Sequence, residues 1–181
     1  MFDMPLKGSY VKDIGQMGRA IVGQSERYAW LSLGVWLALL ALLLTRFTAG
    51  VEILGLSFGL TIVEQPAAAL LATYVLLGVL AAVGEGTLQA VLAVQAGKSE
   101  MEADERDKAI SAMSQRIGYW YVAAAINVVI LHVLANAAFG GQVLPKFDLA
   151  SLTGVAFARL FILITAEVVE RLARLWHYRF A

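Results

Sequence analysis

Ionisable side chains inside long apolar runs are the residues of this chain that could do chemistry. Glu85 and Glu167 stand at matching depth in two apolar stretches, Gly84-Glu85 against Ala166-Glu167. A carboxylate in lipid is costly and rare, and its usual uses are a proton relay or an ion path. The competing reading is a structural ion pair. Glu167 has Arg171, and Glu170 has Arg174, four residues further on, the favourable order for a helical pair. Glu85 is placed to reach Arg27 or Arg116.

Arg159 falls within the fourth apolar run. Two fates are open to it: neutral partners at similar depth on the third run, His132 and Asn136, which share a helix face, or snorkelling to the outer surface. His177 lies beyond the inner end of the last run while His132 is in the outer half of its own, so the two cannot share one iron within a chain. Asn127, near the middle of the third run, reads as an interhelical hydrogen bonder. There are no cysteines, hence no disulfides, thiolate sites or cysteine nucleophiles. Neither a phosphate-binding glycine loop nor Ser, His and Asp at a common depth is present. Catalysis, a metal and a cofactor are therefore not expected.

The elements that must position these residues follow from composition. Sixty per cent of the 181 residues are hydrophobic and 15% are charged, with a mean hydropathy of +0.72, more apolar side chain than a soluble domain of this length can bury. The apolar residues gather in four runs, residues 30–47, 67–96, 117–139 and 150–175, each close to or above the ~20 helical residues that a bilayer requires. The fold class expected is an all-α integral membrane four-helix bundle, with the lipid bilayer as its solvent and the whole chain, 1–181, as one domain.

Charge sets the orientation. Lys7, Lys12, Arg19 and Arg27 precede the first run, Lys98, Arg106, Lys108 and Arg116 lie between the second and third, and Arg171, Arg174 and Arg179 close the chain, against Arg46 and Lys146 on the other side. The positive-inside bias places both termini and the central loop in the cytoplasm. The first 29 residues are polar or mixed and contain no signal-peptide pattern, so the N-terminus is expected to stay inside. Glu100, Glu102, Asp104, Glu105 and Asp107 balance the basic residues of the central loop, which argues against a nucleic-acid partner.

The halves look like a duplication. Residues 19–27 align with 108–116, with Ala, Ile, Ser and Arg recurring in place, and each stretch leads into an aromatic start, Tyr28 and Trp30 or Tyr119 and Trp120. Residues 1–97 and 98–181 would then be two parallel hairpin repeats. Val11, Ile14, Met17 and Ile21, and likewise Ile110, Met113 and Ile117, recur at helical spacing, which predicts a short interfacial amphipathic helix before each hairpin. Residues 48–65 are too apolar for a loose linker and too glycine-rich for a helix, so a hairpin or cap is expected, with Pro66 opening the next helix. Residues 140–146 read as an ordinary turn. Gly78, Ala82, Gly86 and Ala90 form a stripe of small residues every four positions, expected to face protein.

The stretch Asp104-Glu105-Arg106-Asp107-Lys108-Ala109-Ile110, followed by Ser114-Gln115-Arg116-Ile117-Gly118-Tyr119, resembles an uncharacterised family of small prokaryotic membrane proteins with an Asp-Glu-Arg-Asp signature before a helical hairpin. The close, from Ala166-Glu167 through Glu170 and Arg174 to Tyr178-Arg179, is similar to that family's glutamate-bearing last helix. The resemblance covers about residues 100–180. It implies a bacterial or archaeal cytoplasmic membrane with the signature loop inside, and it brings no activity. The first half has Gly15-Gln16-Met17-Gly18 where the tetrad would align. Physically, the acidic residues of the tetrad suit a helix N-terminus; a docking surface is the other use.

Two functions are expected. The preferred one is a non-catalytic scaffold or accessory subunit, a homo-oligomer or part of a larger membrane complex. The alternative is a small ion- or proton-coupled transporter using Glu85 and Glu167.

Overall fold

The computed structural model describes the backbone of residues 9–53, 56–96, 105–139, 149 and 151–180, and side-chain packing for residues 25–50, 61–94, 105–139, 149 and 151–180. Asp104, the central-loop residues before it and the predicted turn at 140–146 lie outside this description. The chain forms four helices, α1 (Ser9–Phe47), α2 (Ala67–Ala96), α3 (Glu105–Ala138) and α4 (Leu152–Phe180), with strands β1 (Thr48–Ile53) and β2 (Leu56–Ile62) between α1 and α2. All four helices are long and apolar enough to cross a membrane, and the chain is a multi-pass all-α membrane bundle.

The amphipathic stretches before each hairpin are helical, but they are not separate elements. α1 runs unbroken for 39 residues, of which Ser25–Phe47 is the apolar span, and α3 runs unbroken for 34. Neither Gly15 nor Gly18 interrupts α1, because no proline removes a backbone donor there and a glycine costs only about 1 kcal/mol in a helix interior.

α1 packs on both α2 and α4, and α4 packs on α3. α2 touches α4 more thinly, and among the described residues α3 makes no extended contact with α1 or α2. The two hairpins are therefore not interchangeable: α1 meets α4 along its length, while α2 and α3, their counterparts in a duplication, do not meet in that way. Leu39, Leu43 and Phe47 of α1 bury against Leu70 and Leu77 of α2 and Leu160 and Ile164 of α4. Ala29 and Leu33 meet Val168 and Leu175 nearer the chain termini. Phe47, Phe157 and Phe161 form a ring series with centroids 5.6 Å apart at each step.

The segment between α1 and α2 takes the hairpin form of the two shapes expected. β1 and β2 pair antiparallel, with an irregularity at Gly50, whose φ of 144° is a backbone shape that glycine adopts without strain. Pro66 precedes α2 and its carbonyl accepts from Ala69 and Leu70. Ser151 caps α4 by accepting from the Gly154 amide at 3.0 Å, and its hydroxyl donates to Glu64 at 2.7 Å. Beside it, buried Thr153 accepts from the Gln65 amide at 3.1 Å. The start of α4 is thus tied to the segment that leads into α2.

The small-residue stripe of α2 does not face its own chain. Gly78, Ala82, Gly86 and Ala90 are all exposed, and neither glycine has any atom within 4 Å of where a Cβ would sit. The face turned to α1 is offset from it and carries Leu70, Leu77, Ala81 and Gly84. Large side chains on that face supply the contact area, and only Gly84 is pressed closely, against Val35.

Candidate functional site: a glutamate and arginine network across four helices

Glu85, Glu167, Glu170, Arg171 and Arg174 converge toward the end of the bundle where α4 finishes. Tyr28, Ser32 and Trp36 recur every four residues on α1 and so share one face. All three donate to Glu85 of α2: Tyr28 to Oε2 at 2.7 Å, Ser32 to Oε1 at 2.5 Å and Trp36 Nε1 to Oε1 at 2.7 Å. Gln89, one turn beyond Glu85, donates to the Tyr28 hydroxyl at 3.4 Å.

Arg171 of α4 is the hub. Its Nε donates to Ser32 Oγ at 2.9 Å, Nη2 lies 3.6 Å from Glu85 Oε1, and Nη1 lies 2.7 Å from Glu167 Oε2 and 3.1 Å from Glu170 Oε1. Glu170 also binds Arg174 Nη2 at 3.1 Å, and the same nitrogen donates to Ser111 of α3 at 3.1 Å. One network therefore joins α1, α2, α3 and α4. The two i,i+4 pairs expected from sequence are formed. Glu85, however, takes Arg171 rather than Arg27 or Arg116, both of which are exposed. The fixed planar fork of a guanidinium, with five donors, is the group that can serve several carboxylates and a hydroxyl at once.

A second node lies beside it. Asp107, buried on α3, accepts from Ser25 of α1 at 2.9 Å and is hydrogen-bonded with Tyr178 of α4. Of the described signature residues, Glu105, Arg106 and Arg116 are exposed and Asp107 alone is turned inward. No family model, curated protein or solved structure matches this chain.

The remaining candidates are scattered. His132 and Asn136 bond each other at 3.0 Å, while Arg159 is exposed. Asn127 is exposed and donates to the Ala123 carbonyl of its own helix at 2.7 Å, not to a neighbouring helix. His177 lies inside the last turns of α4, which extends to Phe180, instead of beyond the helix. Among the described residues no group of three or more acidic, His or Cys side chains has the arrangement of a metal site.

Sequence reasoning missed Tyr28, Ser32, Trp36 and Ser111. The periodic Tyr28, Ser32 and Trp36 was a visible signal: three hydrogen-bond donors on one face of an otherwise apolar helix need a common acceptor.

Proposed function

We propose that this protein is a non-catalytic scaffold or accessory subunit of a larger assembly in a bacterial or archaeal cytoplasmic membrane, with both termini inside. The observation that carries the proposal is the engagement of Arg171 with Glu85, Glu167, Glu170 and Ser32 at once. Its position suits a lock that fixes the relative depth of the helices. Two further features support assembly. The small-residue stripe of α2 is open to close approach by another helix, and Glu105 and Arg106 project outward at the start of α3.

Purification in native nanodiscs followed by mass measurement tests this reading. A discrete complex, homo-oligomeric or with a second protein, is expected, and a monomer under every mild condition contradicts it.

One observation favours the transporter reading: three carboxylates share two guanidiniums, leaving one formal negative charge over. Proton flux into liposomes that is abolished by Glu167→Gln would establish transport in place of the scaffold.

A further inference from the structure

We infer that Glu167 is the proton-binding group of the network, the first of its three carboxylates to take up a proton on acidification. The direction of the hydrogen bonds carries the argument. Ser32 Oγ accepts from Arg171 Nε, so its own hydrogen is free to point at Glu85 Oε1. That oxygen also receives the indole N–H of Trp36, a group that can only donate. Tyr28 accepts from Gln89, which leaves its hydroxyl hydrogen for Glu85 Oε2. Donors thus point at both oxygens of Glu85 and fill three of the roughly four lone-pair directions of a carboxylate, each bond favouring the ionised form. Glu170 is held in the same sense by two guanidiniums, Arg171 Nη1 and Arg174 Nη2, converging on Oε1.

Glu167 differs in both respects that govern proton uptake. Among the described residues its one ion-pair partner is Arg171, through Oε2, on a nitrogen already shared with Glu170. Its side chain is 36% exposed, against 16% for each of the other two, so it is the carboxylate least enclosed by protein partners. The charged groups facing it are Arg171 and Glu170 on α4 and Glu85 on α2. α1 contributes the titratable Tyr28, engaged with Glu85, and α3 contributes the neutral Ser111; Asp107 of α3 is engaged with Ser25 and Tyr178. A proton on Glu167 brings three carboxylates and two guanidiniums to neutrality, and neutrality is what a low-dielectric interior favours.

This proton site does not depend on the accessory role: capture of a complex and titration of a side chain succeed or fail separately. The test is solid-state NMR of the full chain in nanodiscs with glutamate labelled with carbon-13 at the carboxyl, followed as the pH is lowered from neutral. Glu167→Gln, Glu85→Gln and Glu170→Gln assign the three resonances. The resonance lost in Glu167→Gln should move first, with the other two fixed until it has titrated. If a variant fails to fold, the wild-type spectrum and Glu167→Gln suffice, because the early-moving network resonance must be absent from that variant. Earlier movement of the Glu85 or Glu170 signal, or no movement of any of the three before unfolding, would overturn the inference.

Discussion

Ser32 Oγ lies 2.9 Å from Arg171 Nε and 2.5 Å from Glu85 Oε1, a single hydroxyl that accepts from a residue 139 positions away and donates to one 53 positions away. Ser32 has no exposed surface, so water cannot replace it. Ser32→Ala leaves a guanidinium N–H and a carboxylate oxygen each short of a partner, at a cost of about 1–3 kcal/mol. A lowered thermal midpoint in detergent, with unchanged helicity before the transition, is the expected result. An unchanged midpoint would mean that the hydroxyl contributes no net stability.

Arg171 itself should matter more. Removing one partner of a buried ion pair typically costs about 3–5 kcal/mol, because the opposite charges stay behind without compensation. Arg171→Ala leaves three carboxylates near one another with Arg174, on Glu170, as the one guanidinium of the network, and should express poorly or unfold at much lower temperature. Arg171→Lys keeps the charge but lacks the fork, so it cannot serve Ser32 and all three carboxylates in the same geometry. It should fall between wild type and Arg171→Ala in thermal stability; equality with wild type would reduce the hub to a point charge.

The fold was legible because hydropathy and length determine spans whatever their packing, and the pairs Glu167–Arg171 and Glu170–Arg174 were legible because helical spacing fixes them locally. The partner of Glu85 was not, since it depends on how α2 and α4 lie against α1, which no local pattern encodes. The stripe shows the same limit from the other side. Gly78, Ala82, Gly86 and Ala90 permit a close approach, but what approaches is set by the rest of the bundle, and α1 chose the neighbouring face with its larger side chains. Asp107 read as a helix-start charge and does lie in the first turn of α3, but its second role, a buried acceptor for Ser25 and Tyr178, depends on tertiary packing.

At the opposite end of the bundle Glu64 offers a titration outside the spans. The Ser151 hydroxyl beside it, aided by that of Thr153, holds its carboxyl below the usual carboxylate range. A depressed folded pKa means that the ionised form is favoured by folding. The contribution is fully present above the ordinary carboxylate pKa and fades as the pH falls through the lowered folded value. Glu64→Gln should therefore be less stable than wild type near neutral pH, and the difference should shrink in acid. Thermal melts of both proteins across that range check the sign, and a gap that widens on acidification contradicts it. The residue is exposed, so the effect should be small.

Gly84 and Gly86 separate helix propensity from packing within two residues of one helix. A Cβ on Gly84 would stand 2.9 Å from Val35 Cγ1, while one on Gly86 would meet nothing within 4 Å. Alanine at either position recovers up to about 1 kcal/mol of propensity in water-based scales. At Gly86 nothing opposes that gain, so Gly86→Ala should be neutral or stabilising for the isolated chain. At Gly84 the valine must move, yet a β-branched side chain on a helix has one strongly preferred rotamer. Overpacking of this kind typically costs about 1–3 kcal/mol, enough to outweigh the propensity gain. Adding Val35→Ala to Gly84→Ala should recover part of the loss, whereas adding it to Gly86→Ala should only subtract the valine's own packing. Such a double-mutant cycle, read by thermal unfolding in one detergent, should give a favourable coupling for the first pair and none for the second. If Gly86→Ala instead destabilises or dissociates the protein, the exposed stripe of α2 is covered by another helix in the native membrane, as the accessory role requires.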